Sequence, residues 1–464
     1  MAFKLKEAGI HDFIILEKAE QLGGTWRENT YPGSECDIPS ALYSYSFAPN
    51  PDWQRKWSGQ QQIHDYQKSL SNRYKLDAHF KFNQTVESAD FDETQNVWNL
   101  RCKSGECYQT EHFISAVGQL HEVFQPQIEG LPNFTGKSFH SAQWNNTVTL
   151  NNKRIAVIGN AASAVQLIPE VAKLANSLTV FQRSPNWMIM KSNRSYSKLE
   201  KWLFKHLPFT QKLIRLNLWV LAELVLHPAV KGKKIPGFIV MMMAKFNLRK
   251  HIKDPELRKK LTPSYPLGAK RTLFSHEYYQ TLSRNNVDLE TAAIEAFTKD
   301  GLKTNDQREL AFDVIIFATG FQTNPFLQSL DIRGINQLAL KDHWKQGAHA
   351  YLGLHTNGFP NMHILYGPNT NLGHNSVIAM IEAQVAYVVE AITAADKQQR
   401  KKIEVRQEQE QSYNQVLQQR LSTMAFSKIK QSWYIDHGKI TNNWPGTAGE
   451  YQRLLAKIDW SAYH

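Results

Sequence analysis

Arg154-Ile155-Ala156-Val157-Ile158-Gly159-Asn160-Ala161-Ala162-Ser163-Ala164 is the stretch on which the fold turns. A short apolar run ahead of a glycine reads as a strand buried on both faces, and the small residues after it open a helix. This strand-turn-helix is the context a dinucleotide fingerprint requires. Gly159 makes the tight turn, and the helix N-terminus offers free N–H groups and partial positive charge to a pyrophosphate. Ala161 stands where a second glycine is usual, so the backbone and a phosphate approach less closely. A second strand, Leu178-Thr179-Val180-Phe181, ends just before Arg183-Ser184, 24 residues after Gly159. An NAD-binding protein carries an acid there for the ribose hydroxyls; a guanidinium and a hydroxyl suit the extra 2′-phosphate of NADPH.

On either side the patterning continues. Phe13-Ile14-Ile15-Leu16 reads as a strand ending at Glu17, an acid placed to hold an adenosine ribose, and Met1 to Ala8 reads as the back half of a helix closed by Gly9. No Gly-rich turn precedes Glu17, so the expectation is a chain that begins inside the helix following such a turn. A hairpin is expected around Trp98-Asn99-Leu100 and Phe113 to Gly118, a strand at Phe312 to Ala318, and an amphipathic helix around Ile378 to Ala394 before a Gln-rich polar stretch. Two strand-turn-helix-strand units imply an α/β fold with two doubly wound, Rossmann-like domains.

Composition narrows the function classes. With 42% hydrophobic and 21% charged residues the chain is globular, and three cysteines exclude a disulfide scaffold or a Cys-rich metal site; a reduced, cytoplasmic setting is expected. No metal is expected. No run of about 18 uncharged apolar residues is evident, so no membrane-spanning helix is expected. The net charge of +12 is concentrated: residues 198–260 hold fifteen Lys or Arg against four Asp or Glu. Without any zinc-finger or helix-turn-helix pattern, nucleic acid is not an expected partner. This basic stretch also carries Trp202, Phe204, Trp219, Phe238 and the run Ile239-Val240-Met241-Met242-Met243. It either caps a domain with its apolar face buried or makes a peripheral contact with an anionic membrane. Oligomeric state leaves no mark on the sequence.

Two longer motifs frame the dinucleotide unit. Gly23-Gly24-Thr25-Trp26-Arg27-Glu28-Asn29-Thr30-Tyr31-Pro32-Gly33-Ser34-Glu35-Cys36-Asp37 lets backbone approach a flat cofactor. Phe134, Gly136, His140 and Trp144 are spaced Phe-x-Gly-x-x-x-His-x-x-x-Trp immediately before the second unit. The chain thereby resembles the class B flavoprotein monooxygenases, and among them the Baeyer–Villiger monooxygenases. Asn145 departs from the Pro or Asp that usually follows the fingerprint Trp, while Trp144 itself favours the Baeyer–Villiger branch. Further matches are Ala318-Thr319-Gly320, Gly367-Pro368-Asn369-Thr370-Asn371-Leu372-Gly373-His374-Asn375-Ser376, and Tyr265-Pro266-Leu267-Gly268-Ala269-Lys270-Arg271.

The resemblance implies an FAD domain split between residues 1–147 and 311–464, and an NADPH domain at 148–310 that contains the helical insertion 198–260. It implies that NADPH reduces FAD, that O2 adds to flavin C4a, and that the peroxyflavin oxygenates a ketone to an ester or lactone. Arg271 is then expected to stabilise the peroxyflavin, Asp37 to hold Arg271, and Lys270 to help bind NADPH. Glu17, Thr25, Trp26, Arg27, Glu28, Asp37 and Tyr43 match FAD-contacting positions, and Glu35, Cys36 and Asp37 also face the nicotinamide. Gly159, Asn160, Ala161, Ala162, Ser163, Ala164, Arg183 and Ser184 are the expected NADPH-binding set. N- or S-oxygenation by the same flavin chemistry stays open, as does a catalytically dead remnant without its FAD phosphate loop. A flavin disulfide reductase is disfavoured, because Cys102 and Cys107 flank the turn of a hairpin rather than lying on a helix.

Overall fold

A computed structural model of the chain describes residues 1–324, 326–429 and 434–464. Its organising element is a five-stranded parallel sheet in the order Val287–Glu290, Ser177–Phe181, Arg154–Ile158, Val314–Phe317, Lys137–His140. Strand alternation explains why these strands carry continuous apolar runs. Ile155 and Val157 face the helix Ala162–Leu174, whose Val165, Leu167, Ile168 and Val171 complete that core. Ala156 and Ile158 point the other way, toward Phe297 and Leu302 of a small three-stranded antiparallel layer and Phe312 just after it. With both faces covered, no position on the strand Arg154–Ile158 beyond Arg154 itself tolerates a polar side chain.

The remaining body is built from the two ends of the chain. Strand Ile15–Leu16 pairs in parallel with Phe80–Lys81, and Phe113–Ser115 pairs in parallel with Met362–Ile364, so residues near 360 complete a unit begun before residue 120. The helix Ala2–Glu7 buries Leu5 in a core shared with the helix Val377–Lys397 and with Tyr451 and Tyr463. A further sheet, ordered Asp331–Arg333, Val86–Asp92, Val97–Cys102, Cys107–Thr110, carries a hairpin around Ser104-Gly105, with Cys102 buried and Cys107 exposed; the expected pairing of Trp98 to Leu100 with Phe113 to Gly118 is corrected, because Phe113–Ser115 pairs with Met362–Ile364 instead. The Gln-rich stretch is itself a helix, Gln407–Ser422. Its periodicity is weak, but its buried Glu410 pins it by accepting from Thr356 Oγ1 (2.9 Å) and the Asn357 N–H (2.7 Å).

The basic insertion is helical, as expected: Lys198–His206, Phe209–Leu221, one π turn at Ala222–Leu226, His227–Val230, Lys234–His251 and Pro255–Lys260. Two apolar helices bear on the expectation that no helix spans a membrane. Phe209–Val230 and Val377–Lys397 are both long and apolar enough, by length and composition, to cross a membrane, because helices continue through isolated charges that interrupt an uncharged run. Val377–Lys397 is largely a core helix, whereas the most apolar window of Phe209–Val230 is only 17% buried. Much of the apolar face of Phe209–Val230 is therefore uncovered, while Phe204, Val240, Ala244 and Leu248 of the same insertion are buried.

Candidate active site

Arg271 and Asp37 come from distant parts of the chain. Arg271 lies in the loop that follows the helical insertion, and Asp37 ends the Gly23-to-Asp37 motif. Arg271 Nη2 donates to Asp37 Oδ1 at 3.0 Å. The Asp37 charge raises the guanidinium pKa above its already high value, so Arg271 keeps its proton throughout the working range. Arg271 lines a cavity together with Lys270, His227, His374, Tyr434 and Trp444.

Lys270 turns to the other side. Its Nζ donates to Ser184 Oγ at 2.6 Å and lies 4.8 Å from the centroid of the Tyr265 ring. Burial and then the nearby Arg183 charge lower its pKa. Arg183 is exposed and makes no ion pair among the described residues. Behind this cluster the helix Ala162–Leu174 starts at Ala161 with no side-chain cap, leaving its first N–H groups without a side-chain acceptor. Uncapped amide donors, a free guanidinium and an ammonium in one place form a donor set that suits a phosphorylated dinucleotide. Asn160 orders the turn by donating Nδ2 to Gln182 Oε1 (2.9 Å) and to the Ser184 carbonyl (2.8 Å). Gly159 is required there: at φ +119 a Cβ would sit 2.4 Å from the Ala318 carbonyl oxygen. Ala164 is fully buried against the sheet, where a small residue allows close helix–sheet packing.

The Gly23-to-Asp37 motif docks on that same helix. Gln166 receives Tyr31 OH at 2.8 Å and the Glu35 N–H at 3.2 Å on Oε1, and donates Nε2 to the Glu35 carbonyl at 2.8 Å. Gly33, at φ +81, passes so close that a Cβ would lie 2.5 Å from the Gln166 carbonyl oxygen. Both carboxylate oxygens of Glu35 are engaged by neighbouring side chains. Its Oε1 accepts from the buried Lys191 Nζ at 2.5 Å and its Oε2 from Asn193 Nδ2 at 2.9 Å, while Lys191 also donates to the buried Cys36 carbonyl at 3.0 Å. Burial raises the Cys36 thiol, so it stays protonated.

Around Glu17 the geometry suits a ribose. Glu17 Oε1 takes the Ala19 N–H (2.9 Å) and Arg27 Nη1 (3.2 Å), and no bond to Oε2 is present among the described residues. Arg27 Nη2 in turn binds Glu28 Oε1 at 2.6 Å, which orders the short helix Thr25–Glu28. Trp26 is buried, with Nε1 donating to Tyr43 OH at 3.1 Å. In the linker, Gly136 leaves room for the Phe134 ring, which a Cβ would meet at 2.4 Å. His140 is buried at the end of its strand, opposite Phe317; its Nδ1 accepts from the Ala142 N–H and its ring lies edge-on to Phe321. Trp144 packs edge-on against Phe139.

Sequence reasoning missed Gln166, Lys191 and Tyr434. A lone lysine closing the apolar strand Met188-Ile189-Met190 was the available signal for Lys191, since buried ammonium groups need a carboxylate. Gln166 and Tyr434 have no local signature.

Residues 1–215 match the family model described as pyridine nucleotide-disulphide oxidoreductase. A Baeyer–Villiger monooxygenase of Pseudomonas aeruginosa is 38% identical, the alignment covering 100% of this chain and 88% of the relative. The chain belongs to the Baeyer–Villiger monooxygenase family. Its fold is that of the family as well. The crystal structure of OTEMO complexed with FAD and NADP superposes with a TM-score of 0.89 at 27% identity, covering 100% of this chain and 96% of the other. An oxidized steroid monooxygenase bound to NADP gives 0.88 at 27% identity, covering 100% and 95%. Two dinucleotide-binding, Rossmann-like domains are thus the architecture of this family member.

Proposed function

We propose that the protein catalyses NADPH- and O2-dependent Baeyer–Villiger monooxygenation of a ketone to an ester or lactone, with FAD as its flavin. The observation that carries the reading is Arg271, ion-paired to Asp37 and lining a cavity, with Lys270, Ser184 and Arg183 grouped beside it. When bound, the flavin supplies electron transfer from NADPH and activation of O2. The protein's own part is electrostatic and positional. Arg271 presents a fixed positive charge where negative charge develops on the transferred oxygen, and a guanidinium cannot lose it by deprotonation. Asp37 holds that guanidinium in one orientation. Arg183, Lys270 and the amide groups at Ala161 to Ser163 bind the nucleotide phosphates, and Ser184 fixes the Lys270 ammonium. Glu17, with one oxygen unengaged, takes a ribose hydroxyl of the flavin nucleotide, and Trp26 and Tyr43 form a buried wall beside it. His140, between the linker and the Gly320 segment, couples nucleotide binding to the site. In this scheme residues 1–147 and 311–464 serve the flavin and 148–310 the NADPH. The three cysteines are free thiols, which suits the reduced, cytoplasmic setting that belongs to the proposal.

Turnover of a panel of ketones and sulfides by purified protein with FAD and NADPH tests it. Ester or lactone formation with NADPH consumption is the expected result. Sulfoxide formation without any ester assigns the N- or S-oxygenating chemistry instead, and a colourless protein that retains no flavin assigns neither.

A further inference from the structure

The insertion at residues 198–260 is built inside out. Among the described residues, fifteen of the 23 large apolar side chains exposed at the surface lie between Leu199 and Phe246. They follow helical spacing: Phe209, Leu213, Leu216, Val220 and Leu224 mark one exposed stripe, and the helix Lys234–His251 repeats it from Ile235 to Phe246. Exposure reaches 69% at Leu224, 76% at Ile235 and 65% at Phe246.

Three polar residues of the segment Phe209–Val230 point inward. Gln211 Nε2 donates to the Asn50 carbonyl at 2.7 Å, and Arg215 Nη1 donates to the carbonyls of Ala41 (2.9 Å) and Ser44 (2.8 Å). Glu223 accepts from Asn375 Nδ2 (2.7 Å) and the Gly449 N–H (3.2 Å). A helix that turns its polar side to the protein and its apolar side outward cannot owe that apolar face to the protein's own core. These inward bonds also hold Phe209–Val230 against the body, so it lies along a surface rather than crossing one.

We infer that this face docks in the plane of an anionic lipid bilayer, with its apolar stripes among the acyl chains and its lysines at the headgroups. Charge selects the occupant. The insertion carries fifteen basic against four acidic residues, and two of those acids are already engaged, Glu200 by Arg194 and Glu223 by the contacts above. Lys205, Lys212, Lys233 and Lys234 are exposed beside the apolar stripes. Anionic headgroups complement such a surface, whereas a two-fold dimer would press two strongly basic faces together. The docked face also adjoins the cavity, since His227 and Val230, at the end of the apolar helix, line it beside Arg271. The docking itself is independent of which substrate the enzyme oxygenates.

Sedimentation of the full-length holoenzyme with vesicles of phosphatidylcholine, alone or mixed with phosphatidylglycerol, tests the inference. The protein is expected to pellet with the mixed vesicles, to do so less at high salt, and to bind pure phosphatidylcholine weakly. Phe238→Ser combined with Phe246→Ser should lower vesicle binding about tenfold or more. The variant should keep its melting temperature and its turnover of a water-soluble ketone, because both side chains are exposed and neither lines the cavity at Arg271. Lys233→Glu with Lys234→Glu should remove the preference for phosphatidylglycerol. Absence of pelleting with mixed vesicles overturns the inference, as does wild-type binding by the phenylalanine variant. Self-association in ultracentrifugation that the phenylalanine variant abolishes, without vesicle binding, assigns the face to a second copy of the chain.

Discussion

Arg271 Nη2 and Asp37 Oδ1 meet at 3.0 Å although 234 residues separate them in the chain. The contact joins the loop after the basic insertion to the end of the Gly-Gly motif, so each residue depends on the other unit's placement. Arg271→Ala is expected to abolish ester formation while NADPH-driven flavin reduction survives in part. Asp37→Ala keeps the cation but frees it, and loss of a charged hydrogen bond of about 1.5–3 kcal/mol corresponds to roughly a 10- to 150-fold lower oxygenation rate. Stopped-flow measurement of the two half-reactions separates these effects. Ester formation at the wild-type rate by the Arg271 variant removes that residue from the chemistry.

The cluster of Arg183, Ser184 and Lys270 predicts nucleotide selectivity. Arg183→Ala should raise KM for NADPH by roughly 10- to 150-fold, the equivalent of one charged contact to phosphate, and change KM for NADH far less. Initial-rate kinetics with both nucleotides decide it. An equal rise for both places Arg183 outside the 2′-phosphate site.

Gly33 is a stability and docking determinant. Alanine there must adopt φ +81 and place its Cβ 2.5 Å from the Gln166 carbonyl oxygen, both unfavourable. Gly33→Ala is expected to cost about 1–3 kcal/mol, seen as a lower melting temperature, and to raise KM for NADPH because the motif rests on the nucleotide helix. Gly105→Ala is the control: it has the same sign of φ but open space around it, so it should show the backbone cost alone. Equal effects at both positions show that the Gln166 contact contributes nothing.

Acid sensitivity follows from a buried chain of imidazoles. His112 Nδ1 lies 3.2 Å from His363 Nε2, His363 Nδ1 lies 2.7 Å from His355 Nε2, and His355 Nδ1 lies 2.8 Å from Tyr463 OH. Burial lowers His112 to about 4, burial and the neighbouring His112 lower His355 to about 3, and burial holds His363 well below 6.5. The unfolded chain protonates these rings near 6.5, so between that value and the folded values it binds more protons than the native state. Their contribution to stability is complete above 6.5 and is lost progressively as pH falls below it. Melting temperature is expected to drop between neutral pH and about pH 4.5. His355→Phe should flatten that drop while lowering the neutral-pH value; an unchanged pH profile in the variant excludes the imidazole chain as its source.

Local pattern alone made the nucleotide unit legible. The apolar run at Ile155 to Ile158, the glycine at 159 and the small residues after it specify strand, turn and helix without reference to the rest of the chain, because each is decided by neighbours within a few residues. The same holds for the hairpin at 97–110 and, with Lys270-Arg271 and Gly23 to Asp37 as long motifs, for which residues deserved scrutiny. Tertiary structure alone decided what those residues touch. Glu35 lay within a recognisable motif, yet its carboxylate is taken by Lys191, 156 residues away. Gln166 became the anchor of the Gly23-to-Asp37 motif only when that motif packed on its helix. The basic insertion shows the limit most clearly: an amphipathic helix has the same sequence whether its apolar stripe is buried or bare. Only the inward hydrogen bonds of Gln211, Arg215 and Glu223 decided that here the stripe faces out. Periodicity records that a face exists, but which surface it meets is a property of the contacts made by its opposite side.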